Sequence, residues 1–511
     1  MTANAILAGA ALGHLAGLGV EDFVVCAGAR NAPLATSLLA KCRDHGLRVR
    51  HHFDERTAAF FALGLAKRRL APVAVLTTSG TAAAELLPAV VEAYYSGVPL
   101  VPVTADRPAS WRGSGAPQAI EQAGMFGPYA FALDVSEPTG LARLAEWEGD
   151  APLHVNLCFD EPRAEDRNET WKPAPVSIQR NGTRADGEEI AAFTGDGDGL
   201  LVVLGELEPG WREEVERFLV LSGFPVWAEA TSGLRESAAL AGRIVLGEPP
   251  LPRRVLRIGG VPSLRLWRDL EEHAAIPVLS VSRRPFPGLA RDSALLVTDR
   301  FPAVPLETRQ GWVGDSTLLD AAPFAAHPRS EPAMVRELSR RIPSDALVYL
   351  GNSLPIREWN LAAALDSPHP RVRASRGANG IDGQVATFLG LSEGEAESWA
   401  VLGDLTTLYD LNAPALLTQL SPGRRRIVVL NNGGGRIFSR LPSLAGLPPK
   451  EKRVTENRHG RRFEAWAAMW GMDYRLWPAS EPFPEVEGSG EVVVEALPDE
   501  AETEAFWAAR K

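Results

Sequence analysis

The chain has 511 residues, 45% of them hydrophobic, and a formal net charge of -11. This length exceeds what one hydrophobic core organises and predicts about three domains. The acidic balance argues against a nucleic-acid binder and leaves only local basic pockets for small acidic ligands.

Cys26, Cys42 and Cys158 lie far apart and make no C-x-x-C pair, which fits reduced core residues of a cytoplasmic protein. The opening "MTANAILAGAALGHLAGLGV" has no basic n-region and no cleavage site, so it reads as an amphipathic helix rather than a signal peptide. No apolar run reaches the roughly 20 residues that span a bilayer, and no membrane insertion is expected. Between residues 23 and 104, "FVVCAG", "LRVRHHF", "VAVLTTSG" and "VPLVPVTA" alternate with alanine- and leucine-rich stretches, the pattern of a parallel sheet covered by helices. "PLHVNLCF" completes that sheet, and a polar, Pro-containing linker follows it.

A second series of strands, "LLVVLGE", "FPVWAEA", "RVLRIGG", "IPVLSVS" and "ALLVTD", becomes irregular around "AAPFAAHPRSEP". The last segment repeats the alternation with "ALVYLGNS", "RVRASRG", "SWAVLGD", "RRIVVLNN" and "EVVVEAL", while "GRRRI" reads as a solvated turn. The expected fold is therefore α/β, with three doubly wound parallel-sheet domains over residues 1–180, 181–330 and 331–511. The first and last look like counterparts of one another.

The chemistry sits at strand ends, where open parallel sheets bind ligands. Asp404 follows "WAVLG", and Asn431 and Asn432 follow "RIVVL". An aspartate, an asparagine and a main-chain carbonyl are hard oxygen ligands suited to Mg²⁺, and glycine lets a backbone approach a diphosphate. Neither G-x-x-x-x-G-K-[ST] nor G-x-G-x-x-G is present, which points to a diphosphate held mainly through a metal. Taken singly, Gly-Asp and Asn-Gly are ordinary turn residues.

The combined Gly-Asp…Asn-Asn spacing resembles the thiamine-diphosphate-dependent enzymes. The resemblance extends to "HHFDERTAAFFALGLAK" and "TTSGTAAAELLPAVVEAYYSGVPLVPVTADRP" in the first domain. It implies thiamine diphosphate and Mg²⁺ or Mn²⁺ as cofactors, with Asp404, Asn432 and the Gly434 carbonyl on the metal. Gly403, Leu405, Ile381 and Ile437 would lie against the cofactor, Ile381 as the bulky residue beneath it. Glu55 would be the catalytic acid beside the pyrimidine ring, and the family's arrangement implies a homodimer or dimer of dimers with sites at the subunit interface.

The strings "GNSLPIREWN", "SRGANGIDG", "GDLTTLYDLNA" and "NNGGGRIFSRLP" are similar to the branch of this family that serves menaquinone biosynthesis. Its substrates are 2-oxoglutarate and isochorismate, which the branch joins after decarboxylation. The resemblance assigns Arg30, Arg107 and Gln118 to isochorismate, and Ser353, Arg357 and Arg376 to the oxoglutarate-derived unit. It also implies an apolar wall of Ile437, Phe438 and Leu441, and adds Arg265 from a basic segment of the middle domain. Leu405, Ala29 and Pro117 depart from the family pattern of glycine, serine and asparagine. Another thiamine-diphosphate-dependent 2-oxo acid decarboxylase or carboligase stays open as a reading, as does a non-catalytic cofactor-binding protein.

Overall fold

The computed structural model describes residues 1–178, 182–247, 249–305 and 322–510. The first expected boundary, at 180–181, lies outside the described residues. The first sheet contains β1 (Asp22–Val25), β2 (Arg48–His51), β3 (Val73–Thr77), β4 (Leu100–Asp106), β5 (Phe131–Val135) and β6 (Leu153–Cys158). Its strands are all parallel, in the order β2-β1-β3-β4-β6-β5. Every residue of β3 and β4 is buried, as expected for strands covered on both faces by helices.

The second sheet is built from β7 (Leu200–Leu204), β8 (Val226–Ala228), β9 (Arg254–Ile258), β10 (Val278–Ser282) and β11 (Ala294–Val297), in the parallel order β11-β10-β9-β7-β8. The third has β12 (Leu347–Leu350), β13 (Val372–Arg373), β14 (Glu397–Gly403), β15 (Arg424–Leu430), β16 (Asp473–Pro478) and β17 (Glu491–Leu497), in the order β13-β12-β14-β15-β17-β16. Strand for strand this is the order of the first sheet, so the two are topological counterparts.

Three local readings change. β5 and β16, absent from the sequence-based reading, are the sixth strands at matching edges. Their alternating or mostly part-exposed burial gives no continuous apolar run. "GRRRI" is no solvated turn: it opens β15, where Arg425 and Arg426 are buried and donate to Glu491 and to the Gly488 and Gly490 carbonyls. The segment around "AAPFAAHPRSEP" includes a short helix, Ala322–Ala326.

The chain divides into two compact units. One comprises Met1–Asn181, Gly377–Gly394 and Leu408–Pro422; the other comprises Gly182–Arg376, Glu395–Thr407 and Gly423–Lys511. Within the first, helix Glu55–Arg69 packs against helix Gln384–Leu391 with no side chains between them at one point. A Cβ on Gly64 would come within 2.2 Å of the Thr387 carbonyl oxygen, and one on Gly390 within 2.3 Å of the Phe61 carbonyl oxygen. Asp410 caps the second helix from outside, accepting the Gly383, Val385 and Ala386 N–H groups. Replacing Gly64 or Gly390 by alanine is expected to separate the helices and lower stability by about 1–3 kcal/mol, the usual cost of overpacking. Urea unfolding of each variant against the wild type checks this.

Candidate active site

In the first unit the sequence builds one helix start around two acids. Asp54 is the N-cap of Glu55–Arg69, accepting the Thr57 N–H at 2.9 Å, and it also accepts the Asn412 amide at 2.6 Å. Burial raises the Asp54 carboxyl, but these donors outweigh it and leave its pKa below the ordinary value. The Glu55 carboxyl, next in the chain, accepts its own main-chain N–H. Burial first, then the Asp54 and Glu85 charges, raise its pKa from the ordinary value. Two adjacent carboxyls are thus pushed in opposite directions by their surroundings, Asp54 down by its donors and Glu55 up by burial and the neighbouring charges.

The surrounding loops are braced from within. Asn31 accepts the Gly28 N–H and donates to the Cys26 carbonyl, and a Cβ at Gly28 would meet Thr78 at 2.4 Å. Gln118 has φ +58° and lies against Gly80. Arg107 donates to the Pro117 carbonyl at 3.0 Å and stacks on Trp111, so the structure brings Arg107 and Gln118 together. Arg30 is more committed: it donates to the Phe159 and Asp160 carbonyls and pairs with Glu161 at 2.9 Å. Ile381 is half-buried on the loop that Glu92 pins through the Gly377 and Ala378 N–H groups.

In the second unit, the ends of β14 and β15 form an oxygen-lined loop pair. Asp404 is 2% exposed. Its Oδ2 accepts the Gly433 and Gly434 N–H groups at 2.8 and 2.9 Å, and its Oδ1 accepts the Leu405 N–H. Gly433 and Gly434 take φ +77° and +139°, and a Cβ on Gly434 would lie 2.5 Å from the Glu456 carbonyl oxygen, so glycine is required there. Burial raises the Asp404 carboxyl against the opposing pull of His459 and these amides. The His459 Nε2 lies 3.4 Å from Oδ2, and its Nδ1 accepts the Arg461 N–H.

Asn432 donates its amide to both oxygens of buried Glu331, at 3.0 and 2.9 Å. Its Oδ1 is thereby turned the other way and is a buried acceptor with no partner among the described residues. That orphaned oxygen, with the Asp404 carboxylate and the Gly434 carbonyl, fits a hard cation such as Mg²⁺. The Gly434 carbonyl accepts one bond, from the Arg436 N–H, and a carbonyl has a second lone pair. Among the described residues no cluster of three or more His, Cys, Asp or Glu could hold a metal. Burial also holds Glu331 and neighbouring Glu358 above the carboxylate range. Neither Glu331 nor His459 was singled out by sequence reasoning.

Gly403 accepts the Thr407 hydroxyl through its carbonyl. Ile437 and Leu441 are half-buried and Phe438 is exposed on the turn beyond the glycines. Ser353, at the end of β12, takes φ +70°, a strained conformation for a residue with a side chain. Its carbonyl accepts from Arg357 at 2.6 Å, and Arg376 donates to neighbouring Asn352 at 2.9 Å, so these three residues belong to one cluster. Arg265 stands apart, exposed and paired with Asp269 one turn on.

The chain is similar to known proteins over most of its length. Residues 7–125 match the family described as thiamine pyrophosphate enzyme, N-terminal TPP binding domain. The chain is 43% identical to a 2-succinyl-5-enolpyruvyl-6-hydroxy-3-cyclohexene-1-carboxylate synthase of Akkermansia muciniphila, over 95% of both chains. It is 39% identical to the protein of the same name from Bdellovibrio bacteriovorus, over 99% of this chain and 98% of that one. The fold resembles the crystal structure of benzoylformate decarboxylase from Polynucleobacter necessarius, with a TM-score of 0.71 at 15% identity, covering 96% and 98% of the two chains.

Asp54→Asn keeps an N-cap acceptor but removes a negative charge beside Glu55. The Glu55 titration is expected to move to lower pH, seen as a downward shift of the corresponding limb in the pH profile of turnover. An unmoved limb would separate the two carboxyls electrostatically.

Proposed function

The chain belongs to the 2-succinyl-5-enolpyruvyl-6-hydroxy-3-cyclohexene-1-carboxylate synthase family of thiamine-diphosphate enzymes, and from that premise we propose how its residues divide the work. The reaction is decarboxylation of 2-oxoglutarate and addition of the resulting succinyl unit to isochorismate, in menaquinone biosynthesis. The observation that carries the reaction class is the buried Asn432 Oδ1, unpartnered among the described residues, at the strand end next to that of Asp404, whose carboxylate holds the glycine turn, together with Glu55 at a helix start whose cap is taken by Asp54. Burial and the Asp54 charge push the Glu55 carboxyl up, the direction that an acid facing a pyrimidine nitrogen requires. Bound thiamine diphosphate supplies the carbon nucleophile and the electron sink.

The protein's own part is binding, orientation and proton placement. Asp404, Asn432 and the Gly434 carbonyl hold Mg²⁺ or Mn²⁺, supported by the unpartnered Asn432 Oδ1. Gly403, Leu405, Ile381 and Ile437 line the cofactor. Ser353, Arg357 and Arg376 receive the carboxylate of the donor remote from its keto group, since guanidinium forks match carboxylate geometry. Arg107, Gln118 and Arg30 serve isochorismate, and Phe438 with Leu441 exclude water around the reacting carbon.

A homodimer or dimer of dimers completes the reading, with Glu55 of one protomer serving the metal-binding half of its partner. Around Glu55, exposed Phe53, Tyr409 and Leu411, at 68%, 50% and 42%, supply apolar surface of the kind a second copy covers. Among the described residues no helix is long and apolar enough to cross a membrane, and we place the enzyme in the cytoplasm.

Incubation with thiamine diphosphate, Mg²⁺, 2-oxoglutarate and isochorismate is expected to yield the succinyl adduct by mass detection. Formation of adducts with other acceptors alone would reject the assignment. Glu55→Gln is expected to bind cofactor yet lose turnover by roughly 100-fold or more, the scale of general acid–base catalysis.

A further inference from the structure

A carboxylate from the second sheet is buried among the arginines of the third. Glu229 immediately follows β8 and is fully buried. Its Oε1 accepts the Ser263 hydroxyl at 2.5 Å and pairs with Arg376 Nη2 at 3.3 Å, while Oε2 accepts the Thr231 hydroxyl at 3.1 Å. The turn carrying Glu229 is tied to helix Leu354–Ala362, which bears Arg357. The Ala230 N–H donates to Asn360 at 2.8 Å, and Arg235 donates to the Asn360 and Ala363 carbonyls.

Arg376 is fixed on both sides. Nη1 donates to Asn352, Nη2 meets Glu229, and its side chain is 7% exposed. Its Nε–H is a buried donor with no acceptor among the described residues. Two guanidinium groups near one another repel strongly where water is scarce. The buried Glu229 carboxylate, paired with Arg376, leaves a single net positive charge on the three groups, the complement of a single carboxylate.

We propose that Glu229 is a positioning residue for donor selection: it holds Arg376 in place and offsets one arginine charge, so that the cluster takes one remote carboxylate. The proposal rests on the reading of Arg357 and Arg376 as the donor-binding pair. It also gives the middle sheet a part in the reaction, through a residue that touches neither cofactor nor reacting carbon.

The test uses the full-length holoenzyme with two donors, 2-oxoglutarate and 2-oxobutyrate, which lacks the remote carboxylate. Glu229→Gln preserves size and an acceptor but removes the charge. We expect the ratio of kcat/KM values, 2-oxoglutarate over 2-oxobutyrate, to fall about 10- to 100-fold, the range for losing a hydrogen bond to a charged group. The loss should lie in the KM for 2-oxoglutarate, with kcat within about threefold and the KM for isochorismate unchanged. Binding of unreactive glutarate, by calorimetry, should weaken in parallel. Should Glu229→Gln not fold, Ser263→Ala removes the hydroxyl that holds Glu229 while leaving its charge, and should lower the same ratio by a smaller factor. If the wild type discriminates and the variants keep that discrimination, the assignment of Glu229 is overturned. If the wild type itself does not prefer 2-oxoglutarate, the reading of Arg357 and Arg376 fails and the proposal falls with it.

Discussion

Parallel pairing places every strand's carboxyl end on the same edge of its sheet, and the rest of the site depends on that constraint. Where the order reverses, consecutive connections leave in opposite directions and free loop groups for other uses. In the third sheet this happens between β12 and β14, and the loops there present Ser353, Asn352 and Asp404. In the first it happens between β1 and β3, where Gly28 and Thr78 approach too closely for a Cβ. The second sheet reverses between β7 and β9, and there backbone meets backbone: the Gly260 N–H donates to the Glu206 carbonyl at 2.8 Å. One topology thus carries three different loop chemistries.

Charge in this protein is controlled by burial with chosen partners. Asp54 and Glu55 are neighbours in sequence, yet only Asp54 has donors enough to outweigh desolvation. Glu331 uses its two oxygens on one asparagine amide, which aims that asparagine's other end. Glu229 stands against Arg376. In each case a carboxylate acts by fixing another group's orientation or charge, and removing it would leave a buried partner uncompensated.

Most of the architecture is legible in the sequence because buried parallel strands are written as β-branched runs. β5 and β16 are not, since "FALDV" and "DYRLWP" mix exposed and buried positions at sheet edges. "GRRRI" misleads in the other direction. Its charges suggest solvent, but two of the arginines find carbonyl and carboxylate partners across the sheet. Asp404, Asn432 and Glu55 stand out in the sequence because their types and spacing resemble a known chemistry, and the structure places the first two after neighbouring strands and the third at a helix start. Glu229, Glu331 and His459 do not, because a lone acid or imidazole carries no signal until folding shows what it faces.

The close contact of Gly64 with Gly390 has a consequence for how this protein can vary. The helix that begins at Glu55 meets its neighbour through main-chain atoms at Gly64 and Gly390, and backbone, unlike an apolar side chain, has no alternative rotamer to adopt. A methyl group at either glycine has to be met by a shift of the helix itself, whereas a changed side chain elsewhere can be met in part by repacking. Tolerance to substitution should be lowest at the two residues that have no side chain, because what a new methyl group meets there is backbone rather than a side chain that can repack.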